Sequence, residues 1–318
     1  MPQSKQKIVK TIFGPINSRR FGSSLGIDLS PALKQCNFDC LYCELAPSAT
    51  TNEQANVVEV ATIINELGEH LNDKIDVITI TANGEPTLYP YLDELIDELN
   101  KIKNGTQTLM LTNSATLVDE RVFNSLLKLD QVKLSLDAVT DNVFKRIDRP
   151  HVGIKIEEIV KKAIEFSHIY KGKLFIEILF VHGLNDTKEE IEKLNEVLLK
   201  MDVTRVDLGT IDRPPAYPVV GLSYKELHDA SLLFDASLPI HIASRVHAEP
   251  NNKAYDDEEI LNTLDKRPQT IEDINLLFDE ESKKRFQKLL SESKIVTKKV
   301  GNLEFFILHA NEQRKRAK

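Results

Sequence analysis

Short apolar runs alternating with longer segments of helical periodicity constrain this chain more than any other feature. Between about residues 75 and 210, five runs read as strands: Asp76–Thr81 (DVITIT), Gln107–Thr112 (QTLMLT), Val132–Asp137 (VKLSLD), Leu174–Val181 (LFIEILFV) and Arg205–Gly209 (RVDLG). Their apolar character is nearly continuous, as in strands covered on both faces. Between them, Tyr91–Ile102, Asp119–Leu129, Ile154–Tyr170 and Thr187–Met201 carry 3.6-residue spacing. Asn185, Asp186 and Thr187 offer N-cap oxygens to the last of these helices, and Glu189 and Glu190 suit its positive end. An earlier strand, Leu25–Leu29, and helix, Val57–Leu71, bring the count to six units. Strand–helix repetition with short connections predicts a parallel sheet with right-handed crossovers. The expected fold class is α/β, a partial (βα)6 parallel barrel two units short of a closed eightfold one. No short-period repeat or low-complexity tract interrupts it.

After Gly209 the pattern loosens. Asp212–Val220 (DRPPAYPVV) is proline-rich, and a further helix is expected over Tyr224–Phe234. His247–Asp256 is polar, with Pro and paired Asn, and reads as a linker. Beyond it come three helices, Asp257–Leu264, Thr270–Phe278 and Asp279–Ser291. Two strands follow, Ile295–Val300 and Leu303–His309, joined by the hairpin turn Gly301-Asn302. This order resembles a winged helix-turn-helix domain. The expected organisation is a barrel over residues 1–246, a linker over 247–256 and a small domain over 257–318.

The 318 residues are 41% hydrophobic and 28% charged, the balance of an ordinary globular protein. A net charge of −8 argues against non-specific coating of nucleic acid. No apolar run approaches the roughly 18 residues of a membrane span. Met1–Lys10 is polar and basic, with no apolar segment after it, so no secretory signal is expected and the cytoplasm is the expected compartment.

All three cysteines, Cys36, Cys40 and Cys43, fall within eight residues, spaced C-x3-C-x2-C in a loop after a predicted strand. Adjacent disulfides would leave one thiol over, and clustered thiols in a reducing compartment point to metal or redox chemistry. A closed zinc site wants four ligands, and no His or fourth Cys follows at a typical interval. Three thiolates from one loop suit three corners of an iron–sulfur cubane and leave the fourth iron open.

The spacing, with Tyr42 just before the third Cys, resembles the signature of the radical S-adenosylmethionine (SAM) superfamily. That resemblance implies a [4Fe–4S] cluster on Cys36, Cys40 and Cys43 whose open iron chelates S-adenosyl-L-methionine. It implies reductive cleavage of SAM to a 5′-deoxyadenosyl radical that takes hydrogen from substrate, with an electron donor such as flavodoxin or ferredoxin. Thr81-Ala82-Asn83-Gly84-Glu85-Pro86-Thr87 resembles the family's Gly-Gly-Glu-Pro segment for the methionyl ammonium. Asn83 replaces the first Gly, a change that a residue tolerant of left-handed backbone absorbs. Gly84 permits close backbone approach, and Glu85 offers a charged partner. Thr112-Asn113-Ser114 and Ser135-Leu136-Asp137 resemble two further strand-end segments, with Asn113, Ser135 and Asp137 as cofactor contacts. Asn and Asp at these places also suit helix caps. In Val181-His182-Gly183-Leu184-Asn185-Asp186 the family contacts adenine through backbone. His182 there is a candidate base or a structural histidine.

Gly14-Pro15-Ile16-Asn17-Ser18-Arg19-Arg20 and Asp212-Arg213-Pro214-Pro215 resemble a subgroup related to the wyosine-forming tRNA enzymes. Those enzymes carry further cysteines, and this chain has none. Surface or interdomain ion pairing explains these arginines at least as well as substrate binding by their guanidinium forks. Lys283, Lys284, Arg285, Lys288, Lys294, Lys298 and Lys299, with a tail of Arg314, Lys315, Arg316 and Lys318, offer a phosphate-facing surface that Glu280, Glu281 and Glu292 dilute. The expectation is a radical SAM enzyme acting on tRNA, other RNA or an unidentified substrate, with no residue named as catalytic. The alternative is an iron–sulfur redox sensor that binds nucleic acid. A cofactor cradle at the strand ends separates the two, because a sensor has no use for one.

Overall fold

The structure, a computed structural model, describes residues 10–18, 21–71, 74–211, 213–242, 254–266, 268–300 and 303–309. Eight strands form one sheet in sequence order: β1 (Ile12–Ser18), β2 (Gly22–Asp28), β3 (Val77–Thr81), β4 (Gln107–Thr112), β5 (Gln131–Ser135), β6 (Lys173–Phe180), β7 (Arg205–Thr210) and β8 (Ile240–Ile242). β1 and β2 pair antiparallel, and every later pair is parallel. The six units expected from sequence are β2 to β7. β1 and β8, at the two sheet edges, lie outside that reading.

Helices cross over between the strands: α1 (Val60–His70), α2 (Leu92–Ile102), α3 (Glu120–Leu126), α4 (Asp141–Ile147), α5 (Ile156–Ile169) and α6 (Lys188–Leu198), with α7 (Tyr224–Ser231) before β8. Their apolar stripes pack on one face of the sheet. Ile78, Ile80, Met110, Val132, Ile176 and Leu208 from the strands join Ile63, Leu67, Leu95, Phe166 and Leu194 from the helices in one core. Each such side chain contributes about 1.5–3 kcal/mol on burial.

The opposite face, lining the partial barrel, mixes apolar residues such as Leu109 and Phe175 with a cluster of charges. Register places Lys133, Phe175 and Arg205 side by side, and Glu177, Asp207 and His241 one repeat higher. Lys133 pairs with Glu177 at 2.5 Å and Asp207 at 3.3 Å. Arg205 forks onto Asp207 at 2.8 and 3.2 Å while lying over the Phe175 ring. A closed barrel fills this space with apolar layers. Here it holds ion pairs.

Two local readings change. Asn83 does not adopt left-handed backbone; only Gly84 does, at φ +138°, so Asn83 needs no special tolerance. Thr187 caps α6 as expected, accepting from the Glu190 N–H, but Glu190 is buried. Rather than facing the helix dipole, its carboxylate accepts from the N–H groups of Val139 and Thr140, fixing the loop after β5.

The C-terminal unit runs α8 (Asp257–Lys266), β9 (Gln269–Thr270), α9 (Ile271–Leu277), α10 (Glu280–Ser291), β10 (Ile295–Val300) and β11 (Leu303–Leu308), with sheet order β10-β11-β9. Thr270 caps α9 through a capping box. Tyr255, Ile260, Phe278, Phe286 and Leu289 form its core, and Ile16 of β1 packs into the same cluster. Tyr255, within the segment read as linker, is 2% exposed, and its hydroxyl donates to Pro15 O at 2.8 Å. Arg19, Arg20, Asp212, residues 247–253 of the linker, the Gly301-Asn302 turn and the basic tail lie outside the described residues. Among those described, no helix is long and apolar enough to cross a membrane.

Candidate active site at the carboxyl ends of the strands

The loop after β2 carries the three cysteines, and five neighbouring segments hold it. Gln35 is the main fastening. Its N–H donates to Asn83 O at 3.0 Å and its carbonyl accepts from Glu85 N–H at 2.9 Å, making a bridge to the end of β3. A Cβ on Gly84 would stand 1.9 Å from Gln35 O, so only glycine permits this approach. The buried Gln35 side chain also accepts from Ala55 N–H at 2.6 Å. At the end of β4, the Asn113 amide donates to Asn37 Oδ1 at 2.7 Å and reaches Cys36 Sγ at 3.8 Å. At the end of β5, Asp137 Oδ2 accepts from the Tyr42 hydroxyl. The end of α4 bonds to Asp39 and Leu41 through the carbonyls of Asp148 and Ile147. Finally, Ala216 N–H donates to Cys43 O at 2.8 Å, and the Tyr217 hydroxyl donates to Asp39 Oδ2 at 2.5 Å.

Every sequence-selected site residue therefore lies at this end of the barrel, though not always in the expected role. Glu85 is buried, and its carboxylate accepts from Thr87 N–H, the Thr87 and Thr112 hydroxyls and Asn113 N–H at 2.5–3.0 Å. Burial raises its pKa, and these hydrogen bonds oppose the rise. Asn113 is a brace rather than a helix cap: its Oδ1 accepts from Ala115 N–H in a local turn, and Ser114 stands at the N-cap of the short helix that follows. Asp137 caps no helix; Thr140 stands at the α4 N-cap. Ser135 contributes its carbonyl to the Ser114 hydroxyl at 2.9 Å. His182 stands apart, more than half exposed and 3.4 Å from Asp186. Arg213 donates to Pro268 O of the C-terminal unit and lies 3.8 Å from Glu44 of the cysteine loop, so its ion pair is within the barrel and its contact to the C-terminal unit is a hydrogen bond.

Desolvation governs the electrostatics. It pushes the Cys36 thiol up to about 12, Cys40 well above its usual range and Cys43 in the same direction. Asp137 rises to about 7, first from burial, against hydrogen bonds from Tyr42 and Leu179. Asp148, buried 3.5 Å from Cys40 Sγ, is also raised. Thiols in such surroundings ionise only when a metal takes the place of the proton. Among the described residues, no three His, Cys, Asp or Glu side chains converge tightly enough to ligate a single ion. A cubane asks for no such convergence, since each thiolate binds a different iron. Donor chemistry and spacing thus fit a cluster.

Sequence reasoning missed Gln35, Asn37, Asp148 and Tyr217, and it read Asn185 as a helix cap, a place that Thr187 takes. The Asn185 side chain is fully buried and ties Asp137 O and Leu179 O together. Their partners are remote in sequence and leave no local pattern.

A parallel barrel of this kind, with three thiols at its carboxyl end, defines a cluster-dependent enzyme class. A match to the Radical SAM superfamily spans residues 31–198, and the chain belongs to that superfamily. The UPF0026 protein of Helicobacter pylori is 40% identical over 299 residues, covering 93% of this chain and 96% of its own. Two solved structures share the fold. A radical SAM methyltransferase from Sphaerobacter thermophilus has a TM-score of 0.56 and 15% identity over 70% of this chain and 67% of its own. TYW1 with a lysine–pyruvate adduct bound has a TM-score of 0.50 and 20% identity over 68% and 74%. Membership brings the cofactors of the class, a [4Fe–4S] cluster and SAM, and makes the chain an enzyme of SAM-dependent radical chemistry.

Proposed function

We propose that Cys36, Cys40 and Cys43 hold a single [4Fe–4S] cluster, and that Tyr42, Asn83, Gly84, Glu85, Asn113, Ser135 and Asp137 form the cradle in which SAM meets its open iron. The carrying observation is the hydrogen-bonded closure of the cysteine loop onto the ends of β3, β4 and β5. When bound, the two cofactors supply a 5′-deoxyadenosyl radical. The chain fixes the thiols, orients the cradle and shields the site with Asp39, Tyr217 and the segment after β7. A sensor needs no such cradle, which disfavours the regulatory alternative. Low-potential electrons come from a donor of flavodoxin or ferredoxin type.

The ion-paired lumen of Lys133, Glu177, Arg205 and Asp207 supports a polar substrate over an acyl chain. RNA delivered by a winged-helix-like C-terminal domain gains less support. Lys283, Arg285, Lys288 and Lys294 each lie within 4.0 Å of a glutamate, which dilutes the positive field this surface offers a phosphate backbone. The test is anaerobic reconstitution, counting iron and sulfide, then following 5′-deoxyadenosine release from SAM under reduction. About four irons per chain are expected, with none retained by Cys36→Ala, Cys40→Ala or Cys43→Ala. Stoichiometric zinc without sulfide would overturn the reading.

A further inference from the structure

Lys34 is the one cation inside the cysteine loop, two residues before Cys36. Its side chain is 9% exposed, and its ammonium lies 3.5 Å from Asp39 Oδ1. That oxygen is buried and makes no hydrogen bond, so the contact is a charge pair only. The other oxygen of Asp39 is already shared by the Tyr217 hydroxyl and the Arg149 guanidinium, the latter at 3.3 Å. Two cations therefore share this one carboxylate, while Glu44, Glu85 and Asp148 are other carboxyl groups close to the thiols. No hydrogen bond to the ammonium is present among the described residues. Burying an ammonium in this way is costly unless an anion compensates it.

We infer that Lys34 is the buried counter-cation of the cluster and favours its reduced state. This rests on the proposed ligation by Cys36, Cys40 and Cys43. An oxidised cubane with three thiolates is already net negative, and one electron from an external low-potential donor makes it more so, with no bond formed or broken. A fixed cation in a poorly solvated loop stabilises the more negative state, so the potential rises. Lys34 acts through the cluster as a positioning residue and takes no part in the chemistry on substrate.

The test uses the full chain, anaerobically reconstituted, with Lys34→Met, Lys34→Gln and Lys34→Arg. Iron and sulfide are counted, and the reduced cluster is followed by electron paramagnetic resonance in a dithionite titration against mediators. At the potential that half-reduces the wild type, both neutral variants should show a reduced-to-oxidised ratio about tenfold lower, a shift of about 59 mV. Lys34→Arg should stay within about twofold, a fraction of that shift. If the neutral variants lose iron while Lys34→Arg keeps it, the counter-cation role is supported. Iron loss in all three variants, or equal shifts in Arg and Met, would overturn it, since shape rather than charge would then matter. Wild-type potentials in Lys34→Met overturn it too, whether or not SAM binding weakens. Failure of the wild type to take up iron would instead sink the ligation reading on which it stands.

Discussion

Asp137 carries a measurable signature at the scale of one residue. Its folded pKa, about 7, lies above the unfolded value of 3.8, so the folded chain holds this proton more tightly. The stabilising contribution is complete below about pH 4 and is lost as pH rises through 7. Urea midpoints of the metal-free chain should therefore fall between pH 5 and pH 7.5, and Asp137→Asn should flatten that slope; an equal slope in the variant would refute the assignment. Asp148 is shifted the same way and keeps part of the slope in the variant. Glu85 offers a second test. In Glu85→Gln one acceptor for Asn113 N–H, Thr112 or Thr87 becomes a donor, costing about 1–3 kcal/mol of stability. Iron content should hold while SAM affinity, measured by equilibrium dialysis, drops at least tenfold, or about 1.4 kcal/mol. Unchanged affinity would leave Glu85 a brace for the strand ends and nothing more.

At the scale of elements, the bridge between Gln35 and Gly84 joins the cysteine loop to β3. Gly84→Ala must either push Gln35 away or abandon φ +138°, at a cost on the order of 2 kcal/mol. The variant should melt lower and lose iron faster to a chelator than wild type; identical chelation rates would show that the bridge does not secure the loop. What could be read from sequence follows from the same local logic. The central strands announced themselves by continuous apolar runs, and Glu85, Asn113 and Asp137 were found because the segments at the ends of those runs resemble motifs of the radical SAM family. β1 was hidden because Gly14 and Pro15 break its period and its register shifts between Phe13 and Ile16. β8 is three residues long, below any window for periodicity. Asn83 was given a conformation it does not need, since the glycine beside it takes the whole turn. Asp148 and Tyr217 owe their places to contacts across the fold, which no spacing encodes.

For the whole molecule, the C-terminal unit leans on β1 through Ile16 and the Tyr255 hydroxyl, and on the segment after β7 through Arg213. A chain ending at residue 246 should take up iron yet melt several degrees lower, because the Ile16 face of an edge strand becomes solvent-exposed. Tyr255→Phe in the full chain should reproduce about 1 kcal/mol of that loss in a denaturant titration. An undiminished melting temperature on truncation would mean the contact is incidental. The strictly sequential strand order also sets a timetable for synthesis. Each strand can pair as it leaves the ribosome, because its neighbour has already emerged. The thiols are made early, whereas their fastenings at Asn113, Asp137, Asp148 and Tyr217 arrive one after another, the last about 180 residues later. Nascent chains stalled before β5 should hold no iron, and those extending past Tyr217 should hold it. On that expectation cluster delivery follows the synthesis of Tyr217, with the cysteines waiting, reduced, for most of the barrel to be built around them.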